Sequence, residues 1–359
     1  MTYPIFDLHC DLLSSVESQK PPYNFDKAET CCSISQMRNG GVKAQCFVIF
    51  VTTAEESTQS ANRQLALYQR MLRQYYQTIR PIRDNTEVFS GLNSMLAIEN
   101  ASALASESDK LEQAFQNFDV FSEIDKVFYI SLTWNQENRF GGGCMSPIGL
   151  KADGEALLEY LSGKGTAIDL SHASDALAED IFNTIDKKQL DLSVIASHSN
   201  FREVWNHKRN LPTTIAKEII YRKGLIGINA VSDFLGRSPE AFNKHVQFGL
   251  ELGAEDSLAL GMDFYGDIDI PAHLSSGIVD PFFEELGNSS TYPYLISLLE
   301  KKFTKEQIEK ITYLNSHSFY VRQHAGRTHK KDVAGRQCEW EQEIFNAEAQ
   351  RNAEGELVQ

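Results

Sequence analysis

The chain has 359 residues, 42% of them hydrophobic and 10% aromatic, which supplies a large core and excludes a disordered protein. Its 34 Lys and Arg against 49 Asp and Glu give a net charge of -15 at pH 7, a field that repels nucleic acid and anionic membrane surfaces. No stretch approaches the ~18 apolar residues of a membrane span, and the first residues lack the basic and apolar regions of a signal peptide.

In chain order, short apolar, β-branched runs alternate with longer amphipathic stretches. The runs cover residues 5–10, 42–51, 95–99, 127–134, 165–172, 191–198, 224–231 and 257–264. Between them, residues 60–79, 154–164, 176–187 and 213–223 space their apolar positions three and four apart, which predicts helices. Eight strands alternating with helices predict an α/β fold with a closed parallel sheet, the (β/α)8 TIM barrel. An open doubly wound sheet is the rival, but no GxGxxG follows the first run to support it. Residues 267–294 read as a long loop rich in Pro, Gly and Ser. One barrel domain is expected over residues 1–323. Residues 324–359 are polar and charge-dense, and read as a C-terminal extension: a peripheral helix over 338–351, or a flexible tail.

Ionisable residues recur where these runs end. The first ends Asp7-Leu8-His9-Cys10-Asp11, and side chains two apart in a strand share a face, so His9 and Asp11 point together while Cys10 points away. The third ends at Glu99, the fifth at His172 and the sixth at His198, while the eighth carries Asp263. Taken singly each is weak: a lone His at a strand end is more often structural, and a Glu there often caps a helix. Five coincidences at the same end of eight runs are another matter, because in a barrel these ends converge on the face where active sites sit. Three imidazoles and three carboxylates suit zinc or a similar divalent ion.

These segments resemble successive motifs of the membrane (renal) dipeptidases, the M19 metallopeptidases. The resemblance is carried by Asp7-Leu8-His9-Cys10-Asp11-Leu12, Ala97-Ile98-Glu99, Asp169-Leu170-Ser171-His172, Ala196-Ser197-His198-Ser199-Asn200-Phe201-Arg202 and Gly261-Met262-Asp263-Phe264-Tyr265-Gly266. His207-Lys208-Arg209-Asn210-Leu211-Pro212 and residues 315–322 extend it, so that it spans about residue 5 to residue 322. It implies a barrel of the amidohydrolase kind with two Zn2+ per chain. His9 and Asp11 would hold one zinc, His172 and His198 the other, and Glu99 would bridge both. The implied activity is hydrolysis of a dipeptide by a hydroxide shared between the metals, with Asp263 as the proton-transferring catalytic residue and Arg209 binding the substrate carboxylate.

Three positions depart from the family pattern. Trp134 and Asn135 stand after the fourth run where a histidine that steadies the oxyanion is usual, which makes them the candidate substrate contacts there. Cys10 replaces an asparagine, and Tyr265 replaces an aspartate. Gly141-Gly142-Gly143 lacks the Lys-Ser/Thr of a phosphate loop and reads as a flexible loop over the site. His207, His245 and His273 read as structural. The six cysteines form no CxxC pair and suggest reduced thiols in the cytoplasm. A small peptide is the expected partner, with no nucleic acid and no membrane span, and a homodimer is left open. The alternatives are an amidohydrolase acting on an N-acyl amino acid or lactam, and a catalytically silent descendant that binds a metal or ligand.

Overall fold

The first apolar run is buried at all six positions and forms β1 (Ile5–Cys10). A parallel strand covered on both faces needs such a continuous apolar sequence. The computed structural model describes residues 3–19, 21–82, 90–266 and 281–324. The other strands are β2 (Val42–Phe50), β3 (Ile79–Pro81), β4 (Leu92–Glu99), β5 (Val127–Ser131), β6 (Ala167–Asp169), β7 (Val194–Ile195), β8 (Ile226–Ile228) and β9 (Leu258–Leu260). Eight of them run in the order β7-β6-β5-β4-β2-β1-β9-β8, and every pairing is parallel. At the two ends of this path, Ala196 N–H donates to Leu225 O and Gly227 N–H donates to Ala196 O, each at 2.8 Å. These bonds join β7 to β8 and complete the expected (β/α)8 barrel.

Alternation along the strands sorts the core into two layers. Ala44, Cys46 and Val48 of β2 and Met95 and Ala97 of β4 cluster with Phe6, Phe128 and Tyr129 inside the barrel. Phe47, Ile49, Leu96 and Ile98 face outward, where they join Leu177, Ile181, Ile215 and Ile219 of the surrounding helices. Those helices include Ser57–Gln74, Ala152–Leu161, Asp175–Lys188 and Thr213–Tyr221, within a few residues of their predicted limits. No described helix is long and apolar enough to cross a membrane.

Three differences from the sequence reading have physical causes. β3 was not anticipated; it is short and pairs with the start of β4, Ile79 against Leu92, below the level where β5 joins at Leu96. The runs at 165–172, 191–198 and 257–264 keep only two or three residues in the ladder. In two of these runs the backbone departs from the extended conformation past the strand, with φ of 69° at His172 and 62° at Asp263. The loop expected to reach residue 294 gives way to the helix Tyr292–Leu299, since Pro293 in the first turn costs no helical hydrogen bond. The loop residues 267–280, with His273, and the extension from residue 325 onward, with its expected helix over 338–351, lie outside the described residues.

Candidate metal centre

Five strand ends bring six ionisable side chains to one point. His9 lies near the end of β1 and Asp11 just beyond it, Glu99 closes β4, and His172, His198 and Asp263 each sit three residues past β6, β7 and β9. All six are buried, none more than 7% exposed. His9 Nε2 lies 3.2 Å from Glu99 Oε2, 3.6 Å from Asp11 Oδ2 and 3.6 Å from Asp263 Oδ1. The other Glu99 oxygen, Oε1, lies 2.8 Å from His172 Nε2 and 3.9 Å from His198 Nε2. One carboxylate thus faces three imidazoles, His9 through one oxygen and His172 and His198 through the other.

Each histidine is held from behind through Nδ1. Tyr129 has one hydroxyl proton, which goes to Leu8 O at 2.8 Å, so the phenol oxygen accepts from His9 Nδ1–H, also at 2.8 Å. Ser197 Oγ donates to Asp169 Oδ2 at 2.6 Å and therefore accepts from His198 Nδ1–H at 2.7 Å. Asn135 Oδ1 accepts from His172 Nδ1–H at 2.8 Å. With Nδ1 carrying the proton, the Nε2 atoms of His172 and His198 turn a lone pair toward the centre, the tautomer a metal requires, and His9 Nε2 does so once its additional proton is lost. His9 Nε2, His198 Nε2 and Asp11 Oδ1 are buried there without a hydrogen-bond partner. Such orphaned acceptors are costly unless something positive lies among them. The donor atoms fall into three overlapping groups, His9/Asp11/Glu99, Glu99/His172/His198 and His9/His198/Asp263, each within 4.8 Å. Imidazole and carboxylate donors at these separations fit divalent ions.

The electrostatics follow from burial and crowding. Burial acts against the charged form of Glu99, yet His172 and His9 outweigh it and hold its carboxyl well below the usual range. Burial likewise opposes the charge on His9, but Asp11 and Glu99 push its ring well above the usual value. Burial and then the Arg209 charge push His172 down to about 4. His198 is driven well down by burial, with His9 and Arg209 adding. Burial pushes Asp263 up to about 8, and the neighbouring Asp11 and Glu99 charges add to it against His9 and Arg209. Asn229 Nδ2 donates to Asp263 Oδ2 at 2.8 Å and fixes the carboxyl's direction.

Arg209 is 5% exposed rather than solvated. Its Nη2 donates to His198 O at 3.3 Å, its guanidinium lies over the Phe234 ring at 5.2 Å, and its Nε has no hydrogen-bond partner. Trp134 packs between Phe50 and His172, with ring centroids 5.3 and 6.1 Å away. The Asn135 carbonyl oxygen is taken up by His172 and by Cys144 Sγ, which leaves only its NH2 group for a substrate. Gly141–143 is no flexible loop: all three residues are buried. Gly142 O accepts from Ser174 N–H at 2.9 Å, and a Cβ on Gly143 would meet Trp134 O at 1.9 Å. The glycines let this strap close tightly against the segment carrying His172. His245 accepts from Phe201 N–H and bonds Leu235 O, and His207 accepts from Arg209 N–H, so both act within the protein framework.

Residues 1–325 match the family described as membrane dipeptidase (peptidase family M19). The chain belongs to this family. A dipeptidase, tcpJ, of Claviceps purpurea (strain 20.1) is 28% identical over 202 residues, 53% of this chain and 43% of that protein, so the match spans less than half the relative's length. Among solved structures, dipeptidase AC, a metallopeptidase of family M19, gives a TM-score of 0.74 at 19% identity, covering 90% of this chain and 99% of that one. A metallopeptidase from Rhodobacter sphaeroides, liganded with a phosphinate mimic of the dipeptide L-Ala-D-Ala, gives 0.72 at 18% identity, covering 90% and 100%. At these identities the structural likeness speaks for the fold.

Within this M19 chain the supporting residues are what sequence reasoning missed. Asp169 and Ser197 stand inside the motifs, but nothing in their spacing marks them as a relay to His198. Tyr129 lies mid-strand among apolar neighbours and reads as core. Asn229 left a usable signal: it follows β8 directly, and the strand-end rule that found Asp263 applies to it equally.

Proposed function

We propose that this M19 member is a dipeptidase that holds two zinc ions and cleaves dipeptides with a free C-terminal carboxylate. His9 and Asp11 would hold one ion, His172 and His198 the other, and the two oxygens of Glu99 would serve both. When bound, such a pair of ions supplies a water acidic enough to ionise near neutral pH and polarises the scissile carbonyl. The chain's own groups do the rest. Asp263, whose carboxyl is held by Asn229, would take the proton of the attacking water and hand it to the leaving amine. Trp134, beside His172, has one indole N–H for the substrate face. The five described cysteines stand as free thiols, which supports a reducing, cytoplasmic setting.

The observation that carries the dipeptidase reading is Arg209. It is a buried guanidinium beside the His198 carbonyl that makes no ion pair among the described residues, and its Nε is unpartnered. A free carboxylate at the end of a short substrate supplies the missing charge. Charge-assisted bonds of this kind are worth about 1.5–3 kcal/mol, so free dipeptides should be cleaved about ten- to a hundredfold better in kcat/KM than their C-terminal amides. Arg209→Met should remove most of that preference. Equal wild-type rates on the acid and the amide would reject the dipeptidase reading and favour an amidohydrolase acting on another amide.

A further inference from the structure

Beside the metal centre a cleft of about 460 Å3 opens between the glycine strap and the segments that follow His172 and His198. Its link to the centre is short. Cys144, on the cleft wall, donates from its backbone N–H to His172 O at 2.7 Å and from Sγ to Asn135 Oδ1 at 3.3 Å. Arg209 lines a smaller cavity next to this cleft together with Asp175, Arg202 and Lys208, three residues that also line the cleft itself.

The charges lining the cleft do not cancel. Arg202 is fully engaged by Asp175 in a two-pronged pair, Nη1 to Oδ2 at 2.6 Å and Nη2 to Oδ1 at 2.8 Å. Lys208 is exposed and makes no ion pair among the described residues. It is the one uncompensated charge among the lining residues, on a chain whose net charge is -15. Met145 and Pro147 also line the cleft and supply apolar surface suited to methylene groups.

We infer that this cleft receives the side chain of the C-terminal residue, and that Lys208 selects dipeptides ending in an acidic residue. The inference rests on the dipeptidase reading: once Arg209 holds the main-chain carboxylate, a side-chain carboxylate one or two methylenes away lies toward Lys208. Because Lys208 is solvated, the effect is that of an exposed ion pair, about two- to fivefold, and it falls with added salt.

The test compares Ala-Glu with its near-isostere Ala-Gln, each with an L and a D second residue, on the zinc-loaded full chain. Wild type should favour the acidic peptide in kcat/KM, with the difference in KM rather than kcat. Lys208→Met should bring the ratio to about one, and Lys208→Glu should invert it and improve Ala-Lys. Equal wild-type cleavage of Ala-Glu and Ala-Gln, or a Glu-to-Gln ratio unchanged in both variants, overturns the role of Lys208 while leaving the dipeptidase reading intact. Failure to cleave any of these dipeptides overturns both.

Discussion

Replacing Tyr129 by Phe tests whether the residues behind the histidines govern the metal centre. The change removes one oxygen atom and touches no candidate ligand. It leaves His9 Nδ1–H and the Leu8 carbonyl without the partner each had at 2.8 Å, at a position with no solvent exposure. An unsatisfied buried donor costs about 1–3 kcal/mol. Loss of a group that orients a metal-binding histidine costs about 10–100-fold in metal affinity, or about 1.4–2.8 kcal/mol, and the two ranges agree. The freed ring can also place its proton on Nε2, against Asp11 and Glu99, where an ion must then displace it. On the two-zinc proposal, the ion that His9, Asp11 and Glu99 would hold should therefore weaken by about 10–100-fold. The ion that His172 and His198 would hold should weaken far less, because Asn135 and Ser197 still anchor those rings. Zinc removal by a graded series of chelators, with elemental analysis at each step, reads the two affinities separately, and denaturant unfolding checks that the fold is retained. Ser197→Ala should produce the opposite selectivity. If both ions leave Tyr129→Phe at wild-type chelator strength, or if the second ion is the one loosened, the assignment of the Nδ1 anchors is wrong.

Asp263→Asn should keep both ions and most substrate binding while lowering kcat by about 10²-fold or more, since the residue moves protons; near wild-type turnover at neutral pH would remove it from the mechanism. Metal affinity should rise with pH. Without an ion, Asp263 titrates at about 8 and His9 lies well above its usual value, so both hold protons at neutral pH that a bound ion must displace. Zinc affinity of the metal-free protein should therefore climb between about pH 6 and 8, with protons released on binding. Calorimetry in buffers of different ionisation enthalpy measures this, and an affinity independent of pH would contradict the charge balance described above.

Burial is the main cause of the depressed values of His172 and His198, and nearby positive charge adds to it, from Arg209 at His172 and from His9 and then Arg209 at His198. On the proposed reading Arg209 would serve two ends: it would meet a substrate carboxylate, and its charge adds to the burial that disfavours protonation of the two imidazoles.

The barrel was legible in the sequence because parallel strands buried on both faces demand long apolar runs, and eight such runs alternate with amphipathic stretches. The six buried residues at the centre were legible for a related reason: a charged side chain at the end of an apolar run interrupts the pattern, and strand ends of a barrel share one face. What spacing along the chain does not contain is direction. Only the fold shows that Tyr129, 120 positions from His9 in the chain, gives its single proton to Leu8 and so fixes the His9 tautomer. Only the fold distinguishes Arg209, buried and unpaired, from Arg202, seven residues earlier and neutralised by Asp175. Hydrogen bonds and ion pairs act over about 3 Å in space, and residues brought that close by barrel closure stand far apart in sequence. The polarity of a strand end is a local property written in its residues, whereas the partner each residue meets is decided by the tertiary structure.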